Sequence, residues 1–142
     1  MDLSAVATTE LARGLIQSIA LSPDGVSLAY ARVEGRGAGT RLKFIVQRLT
    51  DGSQIREFDA PTDVDAIGWT PDSRAITYLR IVGSAQNLYM QPLSGGSPVQ
   101  LMHFDAEPSR VIAYAWSRDG KKIAITRNRF NDTDVVMFSG FR

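Results

Sequence analysis

A strand–turn–strand pattern occurs three times in this chain, with the same arrangement of residue types. Each copy places a hydroxyl residue and an aspartate between two apolar stretches, and glycine or serine follows the aspartate. The aspartates Asp24, Asp72 and Asp119 are 48 and 47 residues apart (72 − 24 and 119 − 72). Self-similarity at about 40–50 residues is typical of propellers and solenoids. The period therefore restricts the fold to repeat architectures. The copies span residues 18–32, 66–80 and 112–127.

The chemistry of a tight turn explains why these residue types recur. Proline presets φ at the first central position, aspartate caps the turn with its side chain, and glycine accepts a positive φ. Pro23 and Pro71 hold the first position in two copies, whereas Arg118 replaces proline in the third. A type I turn tolerates that replacement. The pattern therefore predicts three hairpins of the same geometry.

A second repeated unit follows each hairpin and adds further strands. Residues 43–49 align with residues 87–93, and residues 134–138 are a third instance. The first two instances continue through polar turns into short strands at 54–58 and 98–102. A full unit thus contains four short antiparallel strands, here called A to D, which is the composition of one propeller blade. The predicted fold class is all-β.

The order of strands divides the chain into about three four-stranded blades of a β-propeller. Residues 1–14 hold strand D of a preceding blade, with the strand itself at 7–11. Residues 15–60 and 61–104 each form a complete blade, and residues 105–142 form a blade that lacks strand D. We expect the whole chain to be a single propeller segment.

The turn sequences resemble those of a known family. Leu-Ser-Pro-Asp-Gly at 21–25, Trp-Thr-Pro-Asp-Ser at 69–73 and Trp-Ser-Arg-Asp-Gly at 116–120 are similar to the W-S-P-D-G-x-x-[IL]-A repeat of TolB-like, WD40-like propellers. The resemblance covers nearly the whole chain. Its motif is specific for the fold and says little about function.

The C-terminal part resembles a narrower group. Residues 117–127 and 134–137, with the terminal Phe141-Arg142, are similar to the final blade of propellers fused behind a serine/threonine protein kinase and a membrane segment in soil bacteria such as acidobacteria. This resemblance implies a bacterial, extracytoplasmic (periplasmic-side) role in sensing or assembly. None of the kinase motifs lies in this chain.

Composition excludes several classes of function. A formal net charge of +1 gives no electrostatic reason to expect a nucleic-acid partner. The chain has no cysteine, and therefore no disulfide and no thiolate metal site. Its longest apolar stretch, residues 111–116, is far too short to insert directly into a membrane. Residues 1–20 lack a basic region followed by an apolar run, so we expect no signal peptide.

No catalytic signature is present, and we expect no catalytic residue, cofactor or metal. The glycine-rich stretch 34–40 lacks the Gly-Lys-Ser/Thr of a phosphate loop. Residues 95–99 begin like a nucleophile elbow but lack its final glycine. A catalytic triad would have only His103 as its histidine. Two carboxylate groups could bind calcium, but their spacing does not match an EF-hand. They are Asp59, Asp63 and Asp65, and Asp132 and Asp134.

A binding site is expected on the side of the propeller that carries the B–C and D–A loops, because these loops are longer and more variable than the A–B and C–D turns. Three arginines recur there at the end of strand B. The alternative for these arginines is a structural role, in which each pairs with a carboxylate of the neighbouring blade or stacks on an aromatic ring. The candidate binding residues are Arg32, Arg80, Arg127, Arg36, Asp63 and His103.

Two functions of different classes fit these observations. The first is a non-catalytic propeller that binds a protein, peptide or other ligand, as the C-terminal part of a TolB-like sensor or scaffold in a bacterial signalling protein. The second is the gating propeller of a prolyl-oligopeptidase-like serine hydrolase. A kinase domain encoded upstream would favour the first, and a G-x-S-x-G hydrolase domain downstream would favour the second.

Three blades are too few to close a ring, so we expect uncovered blade faces. The tryptophans Trp69 and Trp116 are expected in the core, because large aromatic residues dominate cores. Tyr30, Tyr78 and Ile125 are expected to be partly uncovered. Two arrangements would complete the ring. Either a homodimer closes a six-bladed ring of two-fold symmetry, or the chain is a fragment whose other blades lie upstream.

Overall fold

The computed structural model of the chain describes residues 8–104, 108–130 and 132–141. Within these ranges the regular structure is eleven β-strands and one short 3-10 helix. The prediction of an all-β fold built from antiparallel blades is confirmed. Among the described residues there is no apolar helix of the length needed to span a membrane.

The first blade is a complete four-stranded antiparallel sheet. Its strands are paired in the order β1-β2-β3-β4, each antiparallel to the next. A 3-10 helix of three residues, Gly37–Gly39, lies in the β2–β3 loop. The strands are β1 Leu15–Leu21, β2 Ser27–Glu34, β3 Arg41–Arg48 and β4 Gln54–Ala60.

The second and third blades are joined into one seven-stranded sheet. Blade 2 contains β5 Val64–Trp69, β6 Ala75–Val82, β7 Ala85–Pro92 and β8 Val99–Gln100, and blade 3 contains β9 Ser109–Trp116, β10 Lys122–Arg129 and β11 Asp132–Ser139. A single parallel pairing of Ala85 with Ser109 links β7 to β9. The link fixes one edge of blade 3 against blade 2.

The fourth strand of blade 2 is shorter than predicted. Only Val99–Gln100 is assigned as strand, whereas residues 98–102 were expected. Beyond Gln100, Leu101 N still donates to Leu88 O at 2.9 Å, and Met102 is buried. Phe104 N then donates to the side-chain oxygen of Asn87 at 2.7 Å rather than to a main-chain carbonyl.

The three A–B turns share one hydrogen-bonded geometry. In blade 2, Thr70 Oγ1 donates to Asp72 Oδ1 at 2.7 Å and accepts from Ala75 N at 3.1 Å. Asp72 Oδ1 also accepts from Arg74 N at 3.1 Å. The same contacts recur around Ser22 and Ser117. The fourth residue has a positive φ in each turn, and Ser73 accepts this at 58°. Side-chain capping therefore makes these turns rigid.

These turns predict a pH dependence of stability. The hydrogen bond from Thr70 lowers the pKa of Asp72 below its ordinary value of 3.8. A carboxylate with a lowered folded-state pKa stabilises above its unfolded-state pKa, and this contribution is lost as pH falls through the folded value. We expect the urea midpoint to fall on acidification below about pH 4, and to fall less in Asp72→Asn. An identical acid response in both proteins would contradict the role of Asp72.

Thr70→Val provides the matched control for this prediction. It removes the hydroxyl that donates to Asp72, so the pKa of Asp72 should rise toward its ordinary value. A titration of the side-chain carboxyl carbon by NMR measures that change directly.

The core between blades 1 and 2 contains the side chains predicted to be buried there. Each blade has a front face toward the preceding blade and a back face toward the following one. Ala29 and Ala31 on the back of blade 1 pack against Trp69 and Tyr78 on the front of blade 2. Trp69 is buried and its Nε1 donates to Ala20 O of blade 1 at 2.9 Å. The core prediction is confirmed for Trp69, whereas Trp116 is only half-buried.

The expectation that Tyr30, Tyr78 and Ile125 are partly uncovered is wrong. All three are buried, because each lies on a front face that is covered from within the chain. Blade 1 covers Tyr78, and blade 2 covers Ile125. Leu11 and Ala12 pack over the cluster that contains Tyr30.

The N-terminal segment covers blade 1 without forming a strand. Residues 8–13 have no regular structure, and residue 7 of the predicted strand at 7–11 lies outside the described residues. A strand D pairs with strand C of its own blade, and no strand C precedes this segment in the described residues. Leu11 O instead accepts from Gln47 Nε2 at 2.7 Å. The segment is therefore held by packing and one side-chain hydrogen bond.

Candidate functional site

The first repeated arginine, Arg32, lies in a charge network of its own blade. Its Nε and Nη2 donate to Glu34 Oε1 at 3.1 and 2.5 Å, and Nη2 is 3.8 Å from Glu57. Lys43 lies 3.3 Å from the Glu57 carboxylate and 2.8 Å from Asp59. The loop side of blade 1 is therefore a surface of mixed charge.

The second repeated arginine, Arg80, binds a residue that was predicted with it. Its Nε is 3.0 and 3.1 Å from the two carboxylate oxygens of Asp63. The guanidinium also lies 5.9 Å from the ring centroid of Tyr89. The structure thus brings Arg80 and Asp63 together as an ion pair on the loop side of blade 2.

The third repeated arginine, Arg127, contacts both its own blade and the preceding one. Its Nε and Nη2 are 3.1 and 2.6 Å from the Asp134 carboxylate, and its guanidinium lies 4.5 Å from the ring centroid of Phe104. The bond from Arg127 lowers the pKa of Asp134. Each of the three arginines therefore binds a carboxylate of its own blade. Whether they also bind a partner stays a prediction.

The other two candidate residues lie apart from these pairs. Arg36 is exposed and precedes the 3-10 helix. His103 is exposed, and its Nδ1 is 3.0 Å from Gln100 Nε2. His103 lines a small cavity of about 310 Å³ beside residues 82–85. Of the six predicted residues, Arg80 and Asp63 are bonded directly to each other.

Blades 2 and 3 are fastened to each other on the loop side. The buried amide of Gln86 accepts from Val111 N at 2.8 Å and donates to Asp65 Oδ2 at 2.9 Å. Ser109 N also donates to Ser84 O at 3.3 Å. With the contact between Arg127 and Phe104, these bonds hold the loop-side edges of the two blades together.

On the opposite side, where the A–B and C–D turns lie, the same two blades enclose a groove. Its volume is about 540 Å³. Two capped A–B turns form its walls, and aromatic and aliphatic side chains form its floor. The ring of Phe141 meets Trp116 edge-on, with centroids 5.3 Å apart. The apolar lining residues are Pro71, Met90, Pro92, Leu101, Trp116 and Phe141.

Two contacts that join blades 1 and 2 are lost at the equivalent positions beside this groove. Between blades 1 and 2, Asp24 N donates to Ser73 Oγ of the next turn at 3.1 Å. The residue equivalent to Ser73 in blade 3 is Gly120, which has no hydroxyl. Blade 1 also reaches blade 2 through Arg56, whose Nε donates to Leu93 O at 3.0 Å. In the strand pairing, the position of Arg56 is taken in blade 2 by Val99, which has no side-chain donor.

A second cavity separates the A strands of blades 2 and 3. It has a volume of about 380 Å³ and lies between β5 and β9. The Tyr114 side chain lies between the strands, with its hydroxyl 2.9 Å from Thr77 Oγ1 and against the backbone of Gly68. Trp116 is equivalent to Trp69, yet its buried Nε1 has no hydrogen-bond partner. The interface between blades 2 and 3 is therefore looser than the interface between blades 1 and 2.

The charged residues around the groove leave a small positive excess. Three cations and two carboxylates line it, for a balance of +1 (3 − 2). Asp72 and Asp119 are used as caps, and the pKa of Asp119 is lowered mainly by its hydrogen bond from Ser117. Arg118 forms no ion pair within the described part of the chain. The groove therefore offers an apolar floor beside positive charge. The three cations are Arg74, Arg118 and Lys121.

The described residues hold no group of three or more His, Cys, Asp or Glu side chains that could bind a metal ion. The carboxylates of the first group considered for calcium face different partners. Asp59 binds Lys43, Asp63 binds Arg80, and Asp65 accepts from the Gln86 amide.

The fold defines a β-propeller segment, and solved structures match it. TolB from Acinetobacter baumannii aligns with a TM-score of 0.67 and 21% identity, over 97% of this chain and 34% of that chain. A TolB-like protein from Agrobacterium tumefaciens aligns with a TM-score of 0.64 and 15% identity, over 91% and 47% of the two chains. The structural relatives of this chain are thus TolB-like propellers.

A protease propeller matches as well. The β-propeller domain of the trilobed protease from Pyrococcus furiosus aligns with a TM-score of 0.57 and 13% identity, over 78% of this chain and 33% of that chain. The chain spans a third to a half of the length of these three structures. No family model and no curated protein matches its sequence.

Proposed function

We propose that this chain is a non-catalytic β-propeller module that binds a protein or peptide partner in the turn-side groove between blades 2 and 3. The observation that carries the proposal is the groove itself, which combines a volume of about 540 Å³, an aromatic floor and rigid walls. Apolar pockets with a few convergent polar groups are the usual form of binding sites.

The chemistry of the groove suits a peptide with an apolar side chain next to an acidic one. Trp116 and Phe141 present ring surfaces to the apolar group. Arg118 stands where the repeat otherwise has proline, and it places a guanidinium at the rim. Arginine binds carboxylates through a planar pair of donors. Arg118 thus replaces the proline found at the equivalent position of the other two turns, and this replacement supports a binding role for the groove.

The proposal is tested with a fluorescein-labelled, terminally blocked peptide of sequence Glu-Phe-Leu-Glu, followed by fluorescence anisotropy. The same peptide with lysine in place of glutamate is the control ligand. We expect the acidic peptide to bind more tightly, and Arg118→Glu to weaken its binding about tenfold, which corresponds to about 1.4 kcal/mol. Arg36→Glu, on the loop side, should leave binding unchanged.

Two results would contradict the groove as the binding site. One is the absence of any binding at millimolar protein. The other is a loss of binding in Arg36→Glu but not in Arg118→Glu, which would move the site to the loop side. Circular dichroism of each variant separates loss of binding from loss of folding.

The parent protein is a further part of the proposal. The kinase-type resemblance of the last blade supports a TolB-like sensor or scaffold propeller of a bacterial signalling protein, on the extracytoplasmic side. The likeness to the trilobed protease propeller favours, as the second candidate, a propeller that gates a peptidase. The neighbouring coding sequence distinguishes them by a kinase domain upstream or a hydrolase domain downstream. In either case a fluorophosphonate probe should label no serine of this chain.

A further inference from the structure

The front face of blade 1 exposes residues that are buried in the next blade. Ile19 and Leu21 are each 64% exposed. The equivalent residues of blade 2, Ile67 and Trp69, are 8% and 6% exposed because blade 1 covers them. The residues occupy the same positions in the repeat. Their exposure differs because blade 1 covers the front of blade 2, whereas no blade of the described residues covers the front of blade 1.

The back face of blade 3 exposes residues that are buried in blade 1. Val135 and Met137 on β11 are 74% and 64% exposed. They pair across the sheet with Thr126 and Ala124, as Phe44 and Val46 pair with Ala31 and Ala29 in blade 1. Phe44 and Val46 are 1% and 0% exposed, because blade 2 covers them. Exposed apolar patches of this kind mark interfaces.

The N-terminal segment already occupies part of the front face of blade 1. Leu11 and Ala12 pack against the cluster formed by its two middle strands, β2 and β3, as Ile55 and Phe58 of β4 pack on the front of blade 2. Residues 8–13 thus lie where strand D of a preceding blade would lie. The exposed patch of Ile19 and Leu21 continues from this contact toward β1. A blade that supplies strands A to C but no strand D would complete the interface.

We propose that a second copy of this chain supplies that blade. Blade 3 has strands A to C in β9, β10 and β11, and its outer strand β11 is an open edge in the described residues. Its back face carries Ala124 and Thr126 at the positions of Ala29 and Ala31. Seated on the front of blade 1 of the partner, it places β11 beside the partner's segment 8–13.

The same contact then forms a second time in the opposite direction. Each copy contributes its blade 3 to the other's blade 1, so two chains form a six-bladed ring with two-fold symmetry and two identical head-to-tail interfaces. In this ring, residues 8–13 pair with β11 of the other chain, whereas they are in no strand within the described residues of a single chain. Unpaired edges such as β11 favour this kind of strand addition.

The first test is the oligomeric state of the intact chain. Light scattering after size exclusion at tens of micromolar should give the mass of two chains. Ile19→Glu and Val135→Glu lie on opposite halves of the interface and should each give the mass of one chain. Val26→Glu, in an exposed apolar position of the first A–B turn, is the matched control and should leave the dimer intact. Circular dichroism confirms that each variant is folded.

The second test uses the absence of native cysteine to read the orientation of the interface. Leu21→Cys and Ala124→Cys correspond to Trp69 and Ala29, which share the core between blades 1 and 2. A short bis-maleimide should cross-link the two single variants when they are mixed, but neither variant alone. A monomer in light scattering overturns the proposal and assigns the exposed faces to other blades. Cross-linking of one variant to itself also overturns it, because it would show a face-to-face dimer.

Discussion

Trp69→Ala is expected to lower the free energy of unfolding by about 3–5 kcal/mol, the range for a large buried aromatic residue. Trp69 joins two blades, because its ring lies in their shared core and its Nε1 donates to Ala20 O at 2.9 Å. The substitution removes both contacts and leaves the Ala20 carbonyl without this donor. Urea denaturation followed by circular dichroism measures the loss.

Trp116 provides the internal comparison for this prediction. It has the same position in the repeat but is only half-buried, so Trp116→Ala should cost clearly less than Trp69→Ala. The phenylalanine variants separate packing from hydrogen bonding. Trp69→Phe should cost about 1 kcal/mol for the lost bond in addition to lost contact area, whereas Trp116→Phe removes a donor that is unpaired. Equal losses in the free energy of unfolding at the two positions would contradict a looser interface between blades 2 and 3.

The strands and turns could be predicted from the sequence because their signals are local. The hydroxyl and aspartate of each turn bond within five residues, and alternating side chains define each strand. The prediction of all-β blades was therefore confirmed. The fourth strand of blade 2 is shorter than predicted, and the chain beyond it is held partly by a side-chain contact, the bond from Phe104 N to Asn87, which local sequence signals do not show.

Contacts between blades could not be predicted in the same way. Tyr30, Tyr78 and Ile125 were assigned to uncovered faces because the sequence does not show which face each strand turns toward its neighbour. The repeat does contain some of this information. Aligning Ser73 with Gly120 reveals a lost hydroxyl, and that loss coincides with the open groove.

Loop length predicts a binding site on the loop side, and it therefore does not indicate the groove. Long loops lie on one side of the blades, whereas the groove lies among the short turns. Two signals in the sequence point to it. Arg118 interrupts a row of prolines, and Phe141 follows the last strand where the repeat needs no aromatic residue. The loop-side arginines recur in every blade, and the structure gives each of them a carboxylate of its own blade.

Gly68→Ala tests whether Tyr114 controls the spacing of blades 2 and 3. A Cβ atom at Gly68 would lie 2.6 Å from the Tyr114 hydroxyl and 3.0 Å from Thr77 Oγ1. Contacts that short force the side chains to move, and overpacking of this kind typically costs about 1–3 kcal/mol. The hydrogen bond between Tyr114 and Thr77 would be disturbed in the same step. We therefore expect Gly68→Ala to lower the free energy of unfolding by that amount.

Tyr114→Phe is the variant that makes this prediction specific. It removes the hydroxyl that the new Cβ would meet, so Gly68→Ala should cost less in the Tyr114→Phe background than in the wild type. Tyr114→Phe alone should cost about 1 kcal/mol, because it leaves the Thr77 hydroxyl without this partner. The double-mutant cycle isolates the contact, since the two residues touch directly. Additive costs in the cycle would mean that the Tyr114 hydroxyl does not lie against Gly68, and that another contact sets the distance between β5 and β9.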